Sequence, residues 1–463
     1  MATMQSGAMR ISAPARGWLT QRYNRRAMNT APYTRRRAQL AQLIGKGVAI
    51  VPTAPERARN RDAHYPYRYD SYFYHLTGFT EPEAVVVIVA GEKPRHLLFC
   101  REKNAEREIW DGFRYGPAAA KEIFAFDETY TFEQLDKVMP DLLADQPAMY
   151  AHLGGDGAWD ARVLGWVNEV RSRARTGVAA PRDIADVHTL LDDLRLIKDA
   201  DELNTMRRAA AISTGAHVRA MRAARAGVAE YQIEAELLHE FRRLGAQSPA
   251  YTSIVASGAN ACVLHYVSND ATLKDGDLLL IDAGCELDGY ASDITRTFPV
   301  NGRFSGPQQA VYELVLAAQA AAIAEVMPGN AWNAPHDAAV KVLAQGFIDL
   351  KLLSGSLAEV LDKETYRQFY MHRTGHWLGL DVHDAGDYKR DGQWRVLQPG
   401  MVLTVEPGCY IRAAEGVPAE FANIGVRIED DVVVTQSTHS GCEILTSAAP
   451  KSVSDIEALM AQR

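Results

Sequence analysis

Four carboxylates and one imidazole in the C-terminal half of the chain, Asp282, Asp293, His376, Glu406 and Glu429, are side chains of the kind that hold divalent metal ions. LLLIDAG and YASDITRTF are strand-like runs separated by turn residues, and a hairpin folded about Leu287-Asp288 sets Asp282 opposite Asp293. MVLTVEPGCYI and GVRIEDDVVVT fold in the same way about Val417-Pro418. That hairpin sets Glu406 opposite Glu429, with facing side chains roughly 5 Å apart. A bulge in either strand would shift the register. Carboxylates this close repel, and one of each pair takes up a proton unless a cation neutralises both. Two acid pairs and one histidine suit two ions. Hard oxygen donors with a single nitrogen favour Mn²⁺ or a similar ion over a thiolate-bound structural zinc, while affinity alone also admits Co²⁺ or Zn²⁺. Ions about 3.5–4 Å apart activate water and polarise a carbonyl. Each acid taken alone also fits a solvated strand end or a surface ion pair, but both pairs beside a histidine-rich stretch point to a metal centre.

That stretch is MHRTGHWLGLDVHD, residues 371–384. His372 and His376 have the spacing of a helical zinc site, but Arg373 stands where such a site needs glutamate, and Gly375 disfavours a helix. The segment is therefore expected to be a loop entering a short apolar strand. His376 is its ligand, and His372 and His383 move protons or bind substrate near neutral pH. His265, in ACVLHYVSND, is a further candidate, although a histidine among apolar residues also serves as a hydrogen-bonded core group. Arg427 lies two residues before Glu429, on the same side of its strand, where it organises charge beside the metals. Tyr410, four residues after Glu406, either bonds a bridging ligand or packs.

The elements that must position these residues need a large protein. At 463 residues the chain exceeds the usual single domain, and 47% hydrophobic with 23% charged residues is the make-up of a soluble globular protein. A net charge of -8 argues against a nucleic-acid surface. Cys100, Cys262, Cys285, Cys409 and Cys442 are too few and too scattered for a disulfide framework and form no CxxC pair, which fits a reducing cytoplasm. No apolar run reaches the length of about 18 residues that a transmembrane helix needs.

The first 55 residues hold nine Lys or Arg and no Asp or Glu. Such a start suits a mitochondrial transit peptide, or residues 1–27 are a tail or upstream extension with Met28 as the true start, which is the preferred expectation. From Gly47, apolar runs such as VAIVP and AVVVIVAG alternate with helical patterns, as in an α/β unit. YPYRYDSYFYHLTGFTEPEA, residues 65–84, is an aromatic wall or interface segment, with core packing of tyrosines as the alternative. A domain boundary is expected near Pro181. Beyond it a helix starts at Asp199, its N-cap, with Glu202 completing a capping box, and long helices then alternate with antiparallel strand pairs in an α+β domain. No short internal repeat is visible, although two acid-bearing hairpins raise the idea of an old duplication.

IDAGCELDGYASDITRTFPVNG, HWLGLDVHD, VLTVEPGCYI and GVRIEDDVVVT resemble the metal-site segments of the Xaa-Pro aminopeptidase (aminopeptidase P) family of pita-bread metallopeptidases. The resemblance runs from about Met28 and includes EIWDGFRYG in the N-terminal half. It implies a creatinase-like α/β domain over residues 28–180 and an α+β pita-bread catalytic domain over 181–463 with two manganese ions. By the resemblance, Asp282 chelates one ion, Asp293 and Glu429 bridge both, and His376 and Glu406 complete opposite ends. His265 and His383 line the substrate pocket with His372 nearby. Asp70 and Trp110 match N-terminal positions that reach an active site, Trp110 that of a neighbouring subunit, so a homo-oligomer, dimer or tetramer, is expected.

The implied substrate is a peptide with a free amino terminus and proline second. A proline amide has no N–H for general peptidases to grip. Two alternatives share the sequence features: a prolidase that cleaves Xaa-Pro dipeptides only, and a non-catalytic peptide-binding module on the same fold. The module is disfavoured because all five ligand positions are filled.

Overall fold

The structure is a computed structural model that describes residues 29–437 and 441–462; the extension expected over 1–27, together with Met28, lies outside the described residues. The described chain divides after His188 into two compact units.

The first unit is built on a six-stranded mixed sheet with β1 (Gly47–Pro52) and β2 (Val85–Ala90) paired antiparallel at its centre. β1 also pairs in parallel with Ala148–Ala151. Both central strands are nearly continuous runs of buried Val, Ile and Ala, as expected for a sheet covered on both faces. The aromatic segment is not a strand. It forms the helix Ser71–Thr77, capped by the Asp70 carboxylate, which accepts from the Phe73 N–H at 2.8 Å. Phe73, Leu76 and Phe79 are fully buried, and the Tyr69 and Tyr74 rings stack 4.2 Å apart, so these aromatics are largely core.

The expected capping box is found in the second unit, after the helix His188–Leu196. Asp199 accepts from the Asp201 and Glu202 amides, Glu202 accepts from the Asp199 amide, and the helix Ala200–Ala223 follows. Ala200–Ala223 and Glu230–Arg243 follow one another, as do Gly306–Ala324 and Ala334–Asp349, and antiparallel strands come after each pair. β3 (Ile254–Ser257), β4 (Leu278–Asp282) and β5 (Thr295–Pro299) form one sheet in that order. β6 (Val402–Val405) pairs with β9 (Asp430–Val434), and β7 (Gly408–Ile411) pairs with β8 (Ile424–Arg427). Alternation along β4 sends Leu279 and Ile281 into the main core, while Leu280 packs with Tyr410 on the opposite face. Asp282 belongs by the same alternation to the Leu280 face.

The second hairpin has the expected register. Val405 faces Asp430 and Gly408 faces Arg427, which brackets Glu406 and Glu429 as opposed positions. The first hairpin is shifted from expectation: Asp282 faces Thr295, two residues from Asp293. Its turn is Asp288-Gly289, with φ of 50° and 84°, not Leu287-Asp288. Two positive φ values mark the turn whose twist matches the flanking strands, and Asp-Gly is the pair that tolerates it. A two-residue shift keeps both acids on one face, as a diagonal pair rather than a facing one. At Gly284 a Cβ would stand 1.7 Å from the Ser292 carbonyl oxygen, so only glycine allows the strands to approach there.

The two hairpins are joined along β5. The Glu429 amide donates to the Thr295 carbonyl at 3.1 Å, and Thr297 Oγ1 donates to the Arg427 carbonyl at 2.9 Å. Arg296 lies fully buried in this seam, donating to Asp430 Oδ1 at 2.7 Å and to the Glu429 carbonyl at 2.6 Å. Lys451 and Thr446 also donate to Asp430, at 2.6 and 2.7 Å. Removing one partner strands a buried charge, so Asp430→Ala is expected to cost about 3–5 kcal/mol, read as a fall in denaturation midpoint. An unchanged midpoint would show that the seam does not depend on this ion cluster.

Candidate metal centre

Strand ends and one loop bring the five sequence-derived ligands together. Asp282 ends β4, Asp293 lies in the hairpin between β4 and β5, Glu406 follows β6, and Glu429 lies between β8 and β9. His376 enters from a loop that contains no helix and touches β6 by a single bridge, Trp377 to Leu403, where a short strand was expected. Thr404 fixes this loop on both sides: its amide donates to the His376 carbonyl at 3.0 Å, and its hydroxyl accepts from the His376 amide at 3.1 Å. A Cβ on Gly375 would come within 2.0 Å of the Thr404 carbonyl oxygen, so the close approach requires glycine.

Asp293, His376 and Glu429 offer ligand atoms within 4.8 Å of one another. His376 Nδ1 bonds the Trp377 carbonyl at 2.9 Å as donor, which turns Nε2 toward the carboxylates, 3.4 Å from Asp293 Oδ2 and 3.7 Å from Glu406 Oε1. Asp282 joins the group through Tyr251, whose hydroxyl bonds Asp282 Oδ1 at 2.6 Å and also reaches Asp293 Oδ1. Burial pushes the Glu406 carboxyl up to about 7 against the opposing charges of His376 and Arg427, and pushes Glu429 well above the carboxylate range. Asp282 is raised by burial as well. For Asp293 burial is outweighed by the hydrogen bond and charge of His376, which hold it low, and His376 itself rises to about 9 through Asp293 and Glu406 in spite of its burial. Four clustered acids that raise one another's proton affinity, set around one imidazole nitrogen, fit divalent cations in donor chemistry.

Arg427 is buried and holds the group from behind. It donates to Asp282 Oδ2 at 2.7 Å, Thr295 Oγ1 at 3.1 Å and the Tyr410 hydroxyl at 3.0 Å. Tyr410 passes its proton bond to His372 Nε2 at 2.8 Å, and His372 Nδ1 donates to the Arg373 carbonyl at 2.7 Å. Tyr410 therefore packs through its ring, one of the two roles expected from sequence, while its hydroxyl bonds Arg427 and His372. Burial pushes His372 down to about 3, so it is neutral. His383 sits edge-on to His376, ring centres 4.3 Å apart. Its loop is anchored by Asp384, which accepts from Lys198 at 2.8 Å and also from Arg195. His265, His372 and His383 line one cavity of about 1000 Å³ with all five acid and imidazole ligands. Asp70 caps its helix, and Trp110 is 80% exposed at the end of the helix Ala105–Asp111; both belong to the other unit.

Residues 204–436 match the model of Metallopeptidase family M24, and residues 33–150 match that of the aminopeptidase P N-terminal domain. The chain is 43% identical to Xaa-Pro aminopeptidase of Haemophilus influenzae, over 92% of this chain and 96% of that one. Against Xaa-Pro aminopeptidase of Escherichia coli it is 41% identical over the same shares. The chain belongs to the aminopeptidase P family. Among solved structures, Pseudomonas aeruginosa aminopeptidase PepP superposes with a TM-score of 0.92 at 51% identity, covering 94% of this chain and 98% of that one. The creatinase-like and pita-bread architecture implied by the sequence resemblance is thereby established, as is a metallo-aminopeptidase of Xaa-Pro type.

Within this aminopeptidase P site, sequence reasoning missed two groups. Tyr251 gives no pattern in AYTSIVASG that separates it from a packed tyrosine. Asp431 is buried, accepts from the Asp293 amide at 3.1 and 3.2 Å, and is pushed well above the carboxylate range by burial. It stands two residues from Glu429, on the same side of the strand, and the run IEDD hid it among three acids.

Proposed function

We propose that this chain uses two divalent ions, most simply Mn²⁺, to remove the N-terminal residue from peptides with proline second. Asp282, Asp293, His376, Glu406 and Glu429 would hold the pair, with Asp293 and Glu429 shared between the ions. The observation that carries this is the convergence of all five side chains on one cavity, beside three histidines that are not needed as ligands. When bound, the ions would supply a nucleophilic hydroxide at neutral pH and polarise the carbonyl before proline.

The chain's own groups do the rest. Arg427 holds Asp282 in its ligating position and, through Tyr410, fixes His372, which burial keeps neutral. His383 and His265 donate to the oxygen that gains charge as the amide is attacked. Glu406 passes a proton toward the proline nitrogen, which has no hydrogen of its own and needs one to leave. The acidic wall attracts the substrate's ammonium group. A homo-oligomer is supported by Ile109 and Trp110, 81% and 80% exposed apolar side chains on one short helix. A cytoplasmic setting is supported by five free thiols.

A Mn²⁺-supplemented assay that compares Gly-Pro with a longer Xaa-Pro-Xaa peptide tests the proposal. Cleavage of the longer peptide, with about two ions per chain after purification without chelators, is the expected result. Turnover of the dipeptide alone makes the protein a prolidase, and a metal-free, inactive chain makes it a binding module.

A further inference from the structure

We propose that Glu230 is a positioning residue for catalysis: through Tyr266 it fixes the loop that presents His265 to the metal-site cavity. The inference rests on the aminopeptidase reading above. Glu230, the first residue of the helix Glu230–Arg243, is fully buried, and its carboxylate gathers both feet of the segment 257–271. Oε1 accepts from the Ser257 amide and hydroxyl, both at 2.7 Å, and from Asn260 Nδ2 at 3.2 Å. Oε2 accepts from the Ala271 amide at 3.0 Å and from the Tyr266 hydroxyl at 2.8 Å. The loop thus leaves β3 at this carboxylate and returns to it, with Tyr266 tied down in between. A charged acceptor serving several donors is among the stronger polar anchors that a buried site offers.

The rest of the loop explains why such an anchor matters. Leu264 and Tyr266 pack against the cluster of Ile254, Leu280 and Tyr410, but Val263 and Val267 are 48% and 50% exposed, so apolar burial holds only alternate residues of the tip. Leu264, His265 and Val267 nevertheless line the cavity. Polar pins flank them. Arg412 donates to the Cys262 carbonyl at 2.9 Å before the tip. After it, Asn269 in a left-handed conformation, φ 49°, accepts from the Val255 amide at 3.0 Å and donates to the Ser253 carbonyl at 2.9 Å. The Tyr266–Glu230 bond is the pin next to His265 in sequence. Loss of that bond frees the tip to shift, and a displacement of about 1 Å in a reacting group costs about 10²-fold in rate.

Glu230→Gln keeps the volume but replaces one acceptor oxygen with a donor. Tyr266→Phe removes the tether, together with the longer 3.2 Å bond from the same hydroxyl to Asp270, and leaves the Glu230 carboxylate its other four donors. Each is measured alone and with His265→Ala, with metal content and hydrogen exchange over 257–271 followed in parallel. The expected result is a fall in kcat/KM of about 10- to 100-fold at wild-type metal content, with no further loss in the His265→Ala background and faster exchange over 263–268. Full activity, losses that multiply with that of His265→Ala, or unchanged exchange would each overturn the proposal. If Glu230→Gln does not fold, Tyr266→Phe decides. If the wild type fails to cleave Xaa-Pro peptides, the functional reading falls, and the exchange measurement alone still decides whether Glu230 holds the loop.

Discussion

Glu429→Gln and Asp293→Asn are each expected to empty one or both metal positions and to lower kcat/KM by several orders of magnitude. The physical reason is the company that these carboxylates keep. Glu429 is buried, and Asp293, Glu406 and Asp282 add to that burial in raising its proton affinity. Divalent cations would offset four acids in so small a volume, and without them the acids must take up protons. Gln keeps the shape, and its amide oxygen can still accept from Thr295 Oγ1, which bonds Glu429 Oε2 at 2.6 Å. It no longer supplies an anion. The metal-free Gln variant should therefore melt at a higher temperature than the metal-free wild type, even though it is inactive. This separates lost ligation from lost folding.

The pH dependence of the chelated protein follows from the same cluster. A carboxyl raised in the folded state contributes stability that is fully present below its unfolded pKa and is lost as pH rises through the folded one. Burial raises Glu406 from 4.5 to about 7, so the chelated wild type should lose stability across that window, and Glu429→Gln should show a shallower loss. Calorimetry after exhaustive chelation, with metal analysis and peptide turnover on the loaded protein, checks both parts. Wild-type turnover with full metal content in either variant would falsify the ligand assignment.

Most of this centre was legible in the sequence because strand pairing is close to arithmetic. Glu406 and Glu429 face one another since β6, β7, β8 and β9 keep one unbroken register across both paired segments. The first hairpin was legible in kind but not in register, because the Asp288-Gly289 turn, and not the midpoint between the two acids, sets the pairing. The capping box at Asp199 could be located because its signal is local. The aromatic segment 65–84 could not be assigned from composition: Phe73, Leu76 and Phe79 are core while Tyr65 is exposed, and the division depends on packing against residues distant in sequence such as Phe124. Tyr251, Asp431 and Glu230 stayed hidden for a related reason. Each acts through a partner far along the chain, Tyr251 on Asp282, Asp431 on the Asp293 amide and Glu230 on Tyr266, and one sequence carries no record of such pairings.

His383→Ala is expected to leave the metal content intact and to lower the rate by about 10²–10⁴-fold. The argument turns on what does and does not hold this histidine. His383 lines the cavity and meets His376 edge-on, but its ring makes no bond to any of the four carboxylates among the described residues. Its backbone is positioned from below: Asp384 is buried between Lys198 and Arg195, and its amide donates to the Trp377 carbonyl at 3.0 Å. Truncation at 383 therefore removes an imidazole without loosening the loop that carries His376. Burial and the neighbouring charge of His376 both push the His383 pKa down, so at neutral pH the ring is uncharged. A neutral ring can donate to a developing oxyanion without competing with the cations for the acidic wall. Metal analysis beside steady-state turnover of an Xaa-Pro-Xaa peptide makes the measurement. Loss of both ions in His383→Ala would mean that the histidine belongs among the ligands, and near-wild-type turnover would remove it from the reaction.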